Sequence, residues 1–211
     1  MNSERIRAIG SDIFEKDIVL EVGCDHGYIS MYLKKEKLCK EVYASDLRES
    51  ALNVARKNFV KHNMKIETFL SDGFNNIPVK FNTAIIAGMG TNTILNILNH
   101  KNKPRKLVLG GQNDLPRLRK EVHEMGYKLV DEQAVWENGH YYIILLFVRQ
   151  DCVEIQQQLT KWEIKFGISN NDNYYAYLIK KNKEIMKKVP LKKWWELFVD
   201  NIILTGLIKR T

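Results

Sequence analysis

The chain has 211 residues, 45% hydrophobic and 27% charged, which excludes a disordered or fibrous protein and allows one medium domain plus an appendage. Three scattered cysteines (Cys24, Cys39, Cys152), no membrane-length apolar run and a polar start, MNSERIRAIG, lead us to expect a cytoplasmic protein with no membrane or metal partner. The net charge is +8, and residues 151–211, with 11 basic against 7 acidic side chains, carry half of it; a generic Lys-rich surface or a polyanionic partner would each account for this.

Ser3 to Phe14 reads as a short helix covering a sheet edge. DIVLEV (17–22) is a buried strand and GYISMYLKKEKL (27–38) the helix after it. EVYASD (41–46) is a second strand, followed by a helix over ESALNVARKNFVKHN (49–63) with Leu52, Ala55 and Phe59 on one stripe. KIETFLSDG (65–73) and FNTAIIAGMG (81–90) are the third and fourth strands. TNTILNILNH (91–100) is a helix opened by a capping-type Thr91. KLVLGG (106–111) is the fifth strand, and LPRLRKEVHEMG (115–126) a helix with Pro116 in its first turn and Gly126 at its end. This βαβα rhythm predicts a parallel, doubly wound sheet. It breaks at residues 127–150, where two long strands meet at Asn138-Gly139, a strong hairpin signal. Beyond it, Tyr174 to Val189 and Leu191 to Ile208 read as two helices separated at Pro190. Their apolar positions (Tyr174, Tyr177, Leu178, Ile185, Leu191, Trp194, Trp195, Phe198, Ile202) are expected to pack against each other and the sheet.

Ligands of open α/β sheets bind beyond the carboxyl ends of the strands. Those ends carry Glu21-Val22-Gly23-Cys24-Asp25-His26-Gly27, Asp46-Leu47, Asp72-Gly73 and Ala87-Gly88-Met89-Gly90. Gly23 and Gly27 permit a tight turn and close backbone approach to a ligand. Asp46, about 20 residues beyond that turn, sits where an acid binds ribose hydroxyls. A nicotinamide cofactor would use a similar turn and acid. The spacing here, however, is G-x-x-x-G rather than G-x-G-x-x-G, with Glu21 two residues ahead, and the sheet ends in an antiparallel hairpin. Taken singly, Asp25 also reads as a helix cap and His26 as a solvated loop residue.

Together, EVGCDHGY (21–28) and IAGMGT (86–91) resemble the bacterial tRNA (adenine-22-N1)-methyltransferases, whose first motif is similar to D-I-G-S-D-H-A-Y and whose fourth strand ends I-A-G-M-G-G. The resemblance implies an α/β fold of the class I methyltransferase, Rossmann-like kind: a mostly parallel sheet, a terminal antiparallel hairpin and a C-terminal helical hairpin. It implies a catalytic, S-adenosyl-L-methionine-binding domain over 1–150 and a basic helical extension over 151–211, acting as a monomer. The donor would lie against Glu21, Gly23, Cys24, Asp25, Gly27, Asp46, Leu47, Asp72, Gly73, Ala87, Gly88 and Gly90, with Asp46 on the ribose and Asp72 on the adenine amino group. The substrate would be tRNA, its target base met by Asp25, His26, Tyr28 and Met89, and its backbone by Lys180, Lys181, Lys187, Lys188, Lys192 and Lys193. Two departures stand out. Gly110-Gly111-Gln112-Asn113 replaces a Q-P-N-like segment after the fifth strand, and the tail is shorter than in longer members. The residues alone leave open a methyltransferase acting on another RNA base or a non-RNA substrate, and a catalytically silent RNA-binding protein of this fold.

Overall fold

Residues 3–152 and 158–208 are described by the structure, a computed structural model. Seven strands form one sheet: β1 (Ile18–Val22), β2 (Glu41–Asp46), β3 (Glu67–Leu70), β4 (Thr83–Met89), β5 (Lys106–Gly111), β6 (Tyr127–Glu137) and β7 (His140–Arg149). Their order is β3-β2-β1-β4-β5-β7-β6. The first five run parallel, and β7 and β6 close the edge antiparallel. This is the expected Rossmann-like architecture. Asn138 (φ 51°) and Gly139 (φ 85°) both adopt the positive φ that a two-residue hairpin turn of the right twist demands.

Successive residues of the central strands point to opposite faces, and both faces are buried, so the strands read as continuous apolar runs. Leu20, Ala84, Ile86, Leu107, Leu109 and Phe147 pack on one face beneath α4 (Thr91–Leu98) and α5 (Leu115–Glu124). Val19, Ile85, Val108, Ile144 and Leu146 pack on the other, with α1 (Glu4–Ser11) and α2 (Tyr28–Lys35). Helix α3 (Glu49–Lys61) places Leu52, Ala55 and Phe59 against Met31 and Ala44, as its stripe predicts.

Two expectations need correction, and one about α1 holds. Helix α1 covers the β6 edge, where the Ser3 hydroxyl donates to Glu137 at 3.2 Å and Gln133 Nε2 donates to the Ser11 hydroxyl at 3.0 Å, while its Ala8 and Ile9, with Ile13 just beyond, join the core on that face of the sheet. Thr91 is not the cap of α4 but its first residue. Gly90 occupies the cap position, and the missing acceptor comes from Asn113, whose Oδ1 accepts from the Thr91 N–H at 2.9 Å. The second correction concerns α8 (Leu191–Ile208), since on α7 (Asp172–Met186) Tyr174, Tyr177 and Leu178 pack with the core as expected. On α8, Leu197, Asp200 and Leu204 turn inward, a seam at roughly heptad spacing. The aromatic stripe faces outward instead: Leu191 is 71% exposed, Trp195 54% and Ile202 56%. Helix α8 is apolar on two sides, and only one can meet the core.

A short helix α6 (Lys161–Phe166), opened by a Thr160–Glu163 capping box, was not foreseen. A buried ion pair ties it down. Arg119 Nε and Nη2 both donate to Glu132 at 2.8 Å, Arg119 Nη1 donates to the Ile164 carbonyl at 3.1 Å, and Glu132 accepts the Ile168 N–H at 3.4 Å. Gly167 is required there, because a Cβ would lie 2.0 Å from Glu132 Oε1. Tyr141, Tyr174, Tyr177 and Trp136 add an aromatic cluster joining the hairpin to α7. Among the described residues no helix is long and apolar enough to cross a membrane, and no three metal-ligating side chains cluster.

Candidate functional site

The strand order reverses between β1 and β4, and a cavity of about 940 Å³ opens at their carboxyl ends. Its wall includes Glu21, Gly23, Cys24, Asp25, His26, Tyr28, Asp46, Leu47, Asp72, Gly73, Ala87, Gly88 and Met89. Of the residues proposed from sequence for the pocket, only Gly27 and Gly90 stand off the wall. They occupy the cap positions of α2 and α4.

The turn after β1 is fixed from below. The Gly23 and Cys24 N–H groups donate to the Ser45 carbonyl at 2.8 and 2.9 Å, and the Gly27 N–H closes on the Cys24 carbonyl at 2.7 Å. Gly23 (φ 72°), Asp25 (φ 48°) and Gly27 (φ 71°) are all left-handed; two glycines and an aspartate are the residues that tolerate this. A Cβ on Gly23 would lie 1.9 Å from Met89 Cε, so the thioether covers the glycine directly. Asp25 does not cap α2. Its Oδ2 lies 3.6 Å from His26 Nε2 and its Oδ1 3.9 Å from Arg48 Nη2. The His26 ring stacks on Tyr28 with centroids 5.3 Å apart and planes 11° apart. These three side chains stand half-exposed at the mouth of the cavity.

The acids of the wall are held differently. Asp46 is buried; its Oδ2 accepts the Asp25 N–H at 3.2 Å and its Oδ1 the Arg48 N–H at 3.0 Å, so each oxygen keeps a lone pair for a ligand hydroxyl. Glu21 is committed to the fold. It accepts the Ser30 N–H at 2.9 Å and the Ser30 hydroxyl, anchoring the first turn of α2. Burial pushes its carboxyl up to about 7, against the lowering effect of those two bonds. Burial also pushes the Cys24 thiol up, so Cys24 is an inert small residue in the turn. Leu47, 66% exposed, offers an uncovered apolar surface at the rim beside Asp72. Gly73 packs against Ile97, with the Ser71 hydroxyl donating to its carbonyl at 3.0 Å.

At the end of β4 the pairing with β5 slips between Ala87 and Met89, and Gly88 (φ 81°) would have no heavy atom within 4 Å of an added Cβ. The Gly110-Gly111-Gln112-Asn113 segment supports this bulge. A Cβ on Gly110 would crowd the Ala87 Cβ at 3.0 Å, Gln112 N–H donates to the Met89 carbonyl at 3.0 Å, and Asn113 caps α4. The six lysines proposed for RNA are all exposed on α7, α8 and the link between them, and none lines the cavity. Lys187 pairs with Glu184 and Lys193 with Glu196, each at 2.8 Å.

The sequence reading missed Arg5 and Arg48 on the wall, and the α4 side chains Thr93 and Asn96. Both arginines carried a signal. Arg48 occupies the cap of α3, where Ser, Thr, Asp or Asn is expected, and Arg5 sits in the first turn of α1, where the helix dipole disfavours a cation.

The chain is similar to several known proteins. A Mycoplasma genitalium protein provisionally named a tRNA methyltransferase is 34% identical over 137 residues, 63% of this chain and 62% of that one. The chain thus matches less than two thirds of that relative's length. The TrmK structure from M. capricolum, solved with S-adenosyl-homocysteine, is 25% identical with a TM-score of 0.83, covering 99% of this chain and 98% of that one. A Streptococcus pneumoniae structure, provisionally described as a tRNA (m1A22) methyltransferase and solved with S-adenosyl-L-methionine, has a TM-score of 0.85 at 23% identity, covers 99% and 100% of the two chains, and shares the fold. The family described as "Methyltransferase domain" matches residues 2–145, more than half of the sequence, and the chain belongs to that family.

Proposed function

We propose that this chain transfers a methyl group from S-adenosyl-L-methionine to N1 of adenosine 22 of tRNA. The observation that carries the reading is the joining, in one cavity at the β1–β4 switch point, of the glycine turn, Asp46 and Asp72 with the Asp25-His26-Tyr28 mouth. The cavity fits the donor. Gly23 adds no side chain to the wall, Asp46 holds free lone pairs for ribose hydroxyls, and Leu47 with Asp72 offers an apolar face and an acceptor for adenine.

The donor supplies an activated sulfonium methyl, so no side-chain nucleophile or metal is needed to accept it. The chain's task is to hold the neutral N1 lone pair in line at near-attack distance, worth ~7–11 kcal/mol. N1 lies on the Watson–Crick edge, and exposing it costs a few kcal/mol. The open space over Gly88 admits the base, Met89 packs on the ring, and the His26–Tyr28 stack extends the platform at the mouth. Asp25 stabilises the positive charge that methylation leaves on the base, or accepts the N6 proton.

Outside the cavity, the α7–α8 hairpin binds the tRNA backbone through its exposed lysines. On this reading residues 1–150 are the catalytic unit and 151–211 the RNA-binding extension of a cytoplasmic enzyme that needs no second copy. Deleting the extension is a poor test, since Phe166, Tyr174, Tyr175 and Leu204 belong to the main core. Replacing Lys180, Lys181, Lys188 and Lys192 together by alanine leaves that core intact. It is expected to weaken tRNA binding and flatten its salt dependence by ~0.7–0.9 for each phosphate no longer neutralised, with donor affinity unchanged. The decisive experiment incubates the chain with labelled donor and total bacterial tRNA and maps the modified nucleotide. Label at N1 of adenosine 22 supports the reading; label elsewhere in RNA, or donor binding with no transfer to any tRNA, defeats it.

A further inference from the structure

Arg5 lies at the first turn of α1, a position the helix dipole makes unfavourable for a cation. Its neighbours do not explain it. Glu4 pairs with Arg7 at 2.8 Å, and among the described residues no carboxylate pairs with Arg5. Arg5 Nε is buried without a hydrogen-bond partner, although its guanidinium is held in place 4.8 Å from the centroid of the Tyr142 ring. An orphaned N–H on a charged group is costly to bury, so this one is expected to meet a partner in some state of the protein. The side chain lines the main cavity beside Glu21, Gly23, Gly88 and Met89. It also lines a narrow recess with Ala87, Gly110 and Gln112.

We propose that Arg5 is the oxyanion clamp of the cavity, and that the anion it receives is the α-carboxylate of the methyl donor's amino-acid tail. The proposal rests on the methyltransferase reading and deepens it. A guanidinium is a planar fork of donors that matches a carboxylate two-to-two, and the Tyr142 ring lies 4.8 Å from its central carbon. The Gly23 turn lies on the same wall. A tRNA phosphate is the competing source of the same chemistry. The buried Nε favours the small carboxylate, because a backbone phosphate reaches such a recess only with its sugar and neighbours excluded.

The test measures calorimetric affinity of the full chain for S-adenosyl-homocysteine and for 5′-methylthioadenosine, which keeps the adenosine and sulfur but lacks the carboxylate. With Arg5→Gln, the first ligand is expected to bind ~10–100-fold more weakly while the second changes less than about twofold. Arg5→Lys, which keeps charge without the fork, should fall between. Decarboxylated S-adenosyl-homocysteine gives a check on the unaltered protein, where it should bind as weakly as the intact ligand binds the Arg5→Gln variant. Equal losses for both ligands would make Arg5 a structural residue and overturn the proposal. So would unchanged affinity for S-adenosyl-homocysteine with weakened, less salt-dependent tRNA binding, which assigns the clamp to phosphate. If the unaltered protein binds neither nucleoside, the methyltransferase reading itself fails, and the clamp with it.

Discussion

The cavity at the strand ends and the clamp under α6 are both built from charged groups, but they treat those groups in opposite ways. In the clamp, Arg119 and Glu132 are buried and bonded fork to fork, and their remaining capacity is taken up by the Ile164 carbonyl and the Ile168 N–H. At the cavity, Asp25, His26 and Tyr28 are half-exposed and meet only loosely, Asp46 keeps spare lone pairs, and Arg5 Nε has no partner. A satisfied buried network specifies a fold. A set of polar groups left short of partners around an open cavity is arranged for something that arrives later.

Glycine-to-alanine changes in the two regions should break apart most sharply. Gly167 (φ 85°) would drive a Cβ into the Glu132 carboxylate, so Gly167→Ala must separate a buried ion pair; a loss of about 3–5 kcal/mol of stability is expected in urea unfolding. Gly88 has nearly the same φ but open space around it, so Gly88→Ala should cost only the backbone strain, about 1–2 kcal/mol, while obstructing the base. Similar stability losses in the two variants would dissolve the distinction. Next in size is Asp25→Ala, expected to lower turnover at least ~100-fold, roughly 2.7 kcal/mol in the barrier. Donor affinity should stay near that of the parent, and stability should fall only by the strain of an alanine at φ 48°, about 1–2 kcal/mol, because the Asp25 side chain is 59% exposed. Turnover close to normal would remove Asp25 from the chemistry.

What the sequence disclosed follows the same division. The glycine turn, the second-strand acid and the Asn138-Gly139 hairpin are local signals, each set by the backbone needs of a few adjacent residues, and the structure realises them in place. The clamp was invisible because Arg119 and Glu132 become partners only when α5 is laid on β6 and α6 is folded beneath. The cap of α4 was misread for the same reason, its acceptor being Asn113, 22 residues further on. Helical periodicity placed the aromatic positions of α8 on a stripe but could not say which of two apolar sides would meet the core. Arg5 and Arg48 reach the cavity by tertiary packing alone, and only their ill-suited places in a helix start hinted at it.

One orphaned atom lies away from the cavity, and it sharpens the comparison by serving no ligand. Asp12 Oδ2, just past the end of α1, is buried without a partner, while Oδ1 accepts only a long bond of 3.3 Å from Gln133 Nε2. Burial first, then the charge of Asp131, pushes the Asp12 carboxyl up to about 7, with Lys106 and Gln133 pulling the other way. The native chain therefore holds a proton on Asp12 that the unfolded chain releases near pH 4. Over that window the native state binds more protons, so this group's contribution to stability is greatest below about pH 4, falls as pH rises, and levels off above about 7. Glu21, raised to about 7 as well, adds a slope of the same sign. Asp12→Asn keeps the shape and removes one of the two titrations. Its stability relative to the parent should climb between about pH 4 and pH 7 in urea midpoints and level off above, while donor affinity stays constant because Asp12 is absent from the cavity wall. A difference that does not vary with pH would show that Asp12 is ionised in the native protein, and that this atom, unlike Arg5 Nε, has found a partner in water.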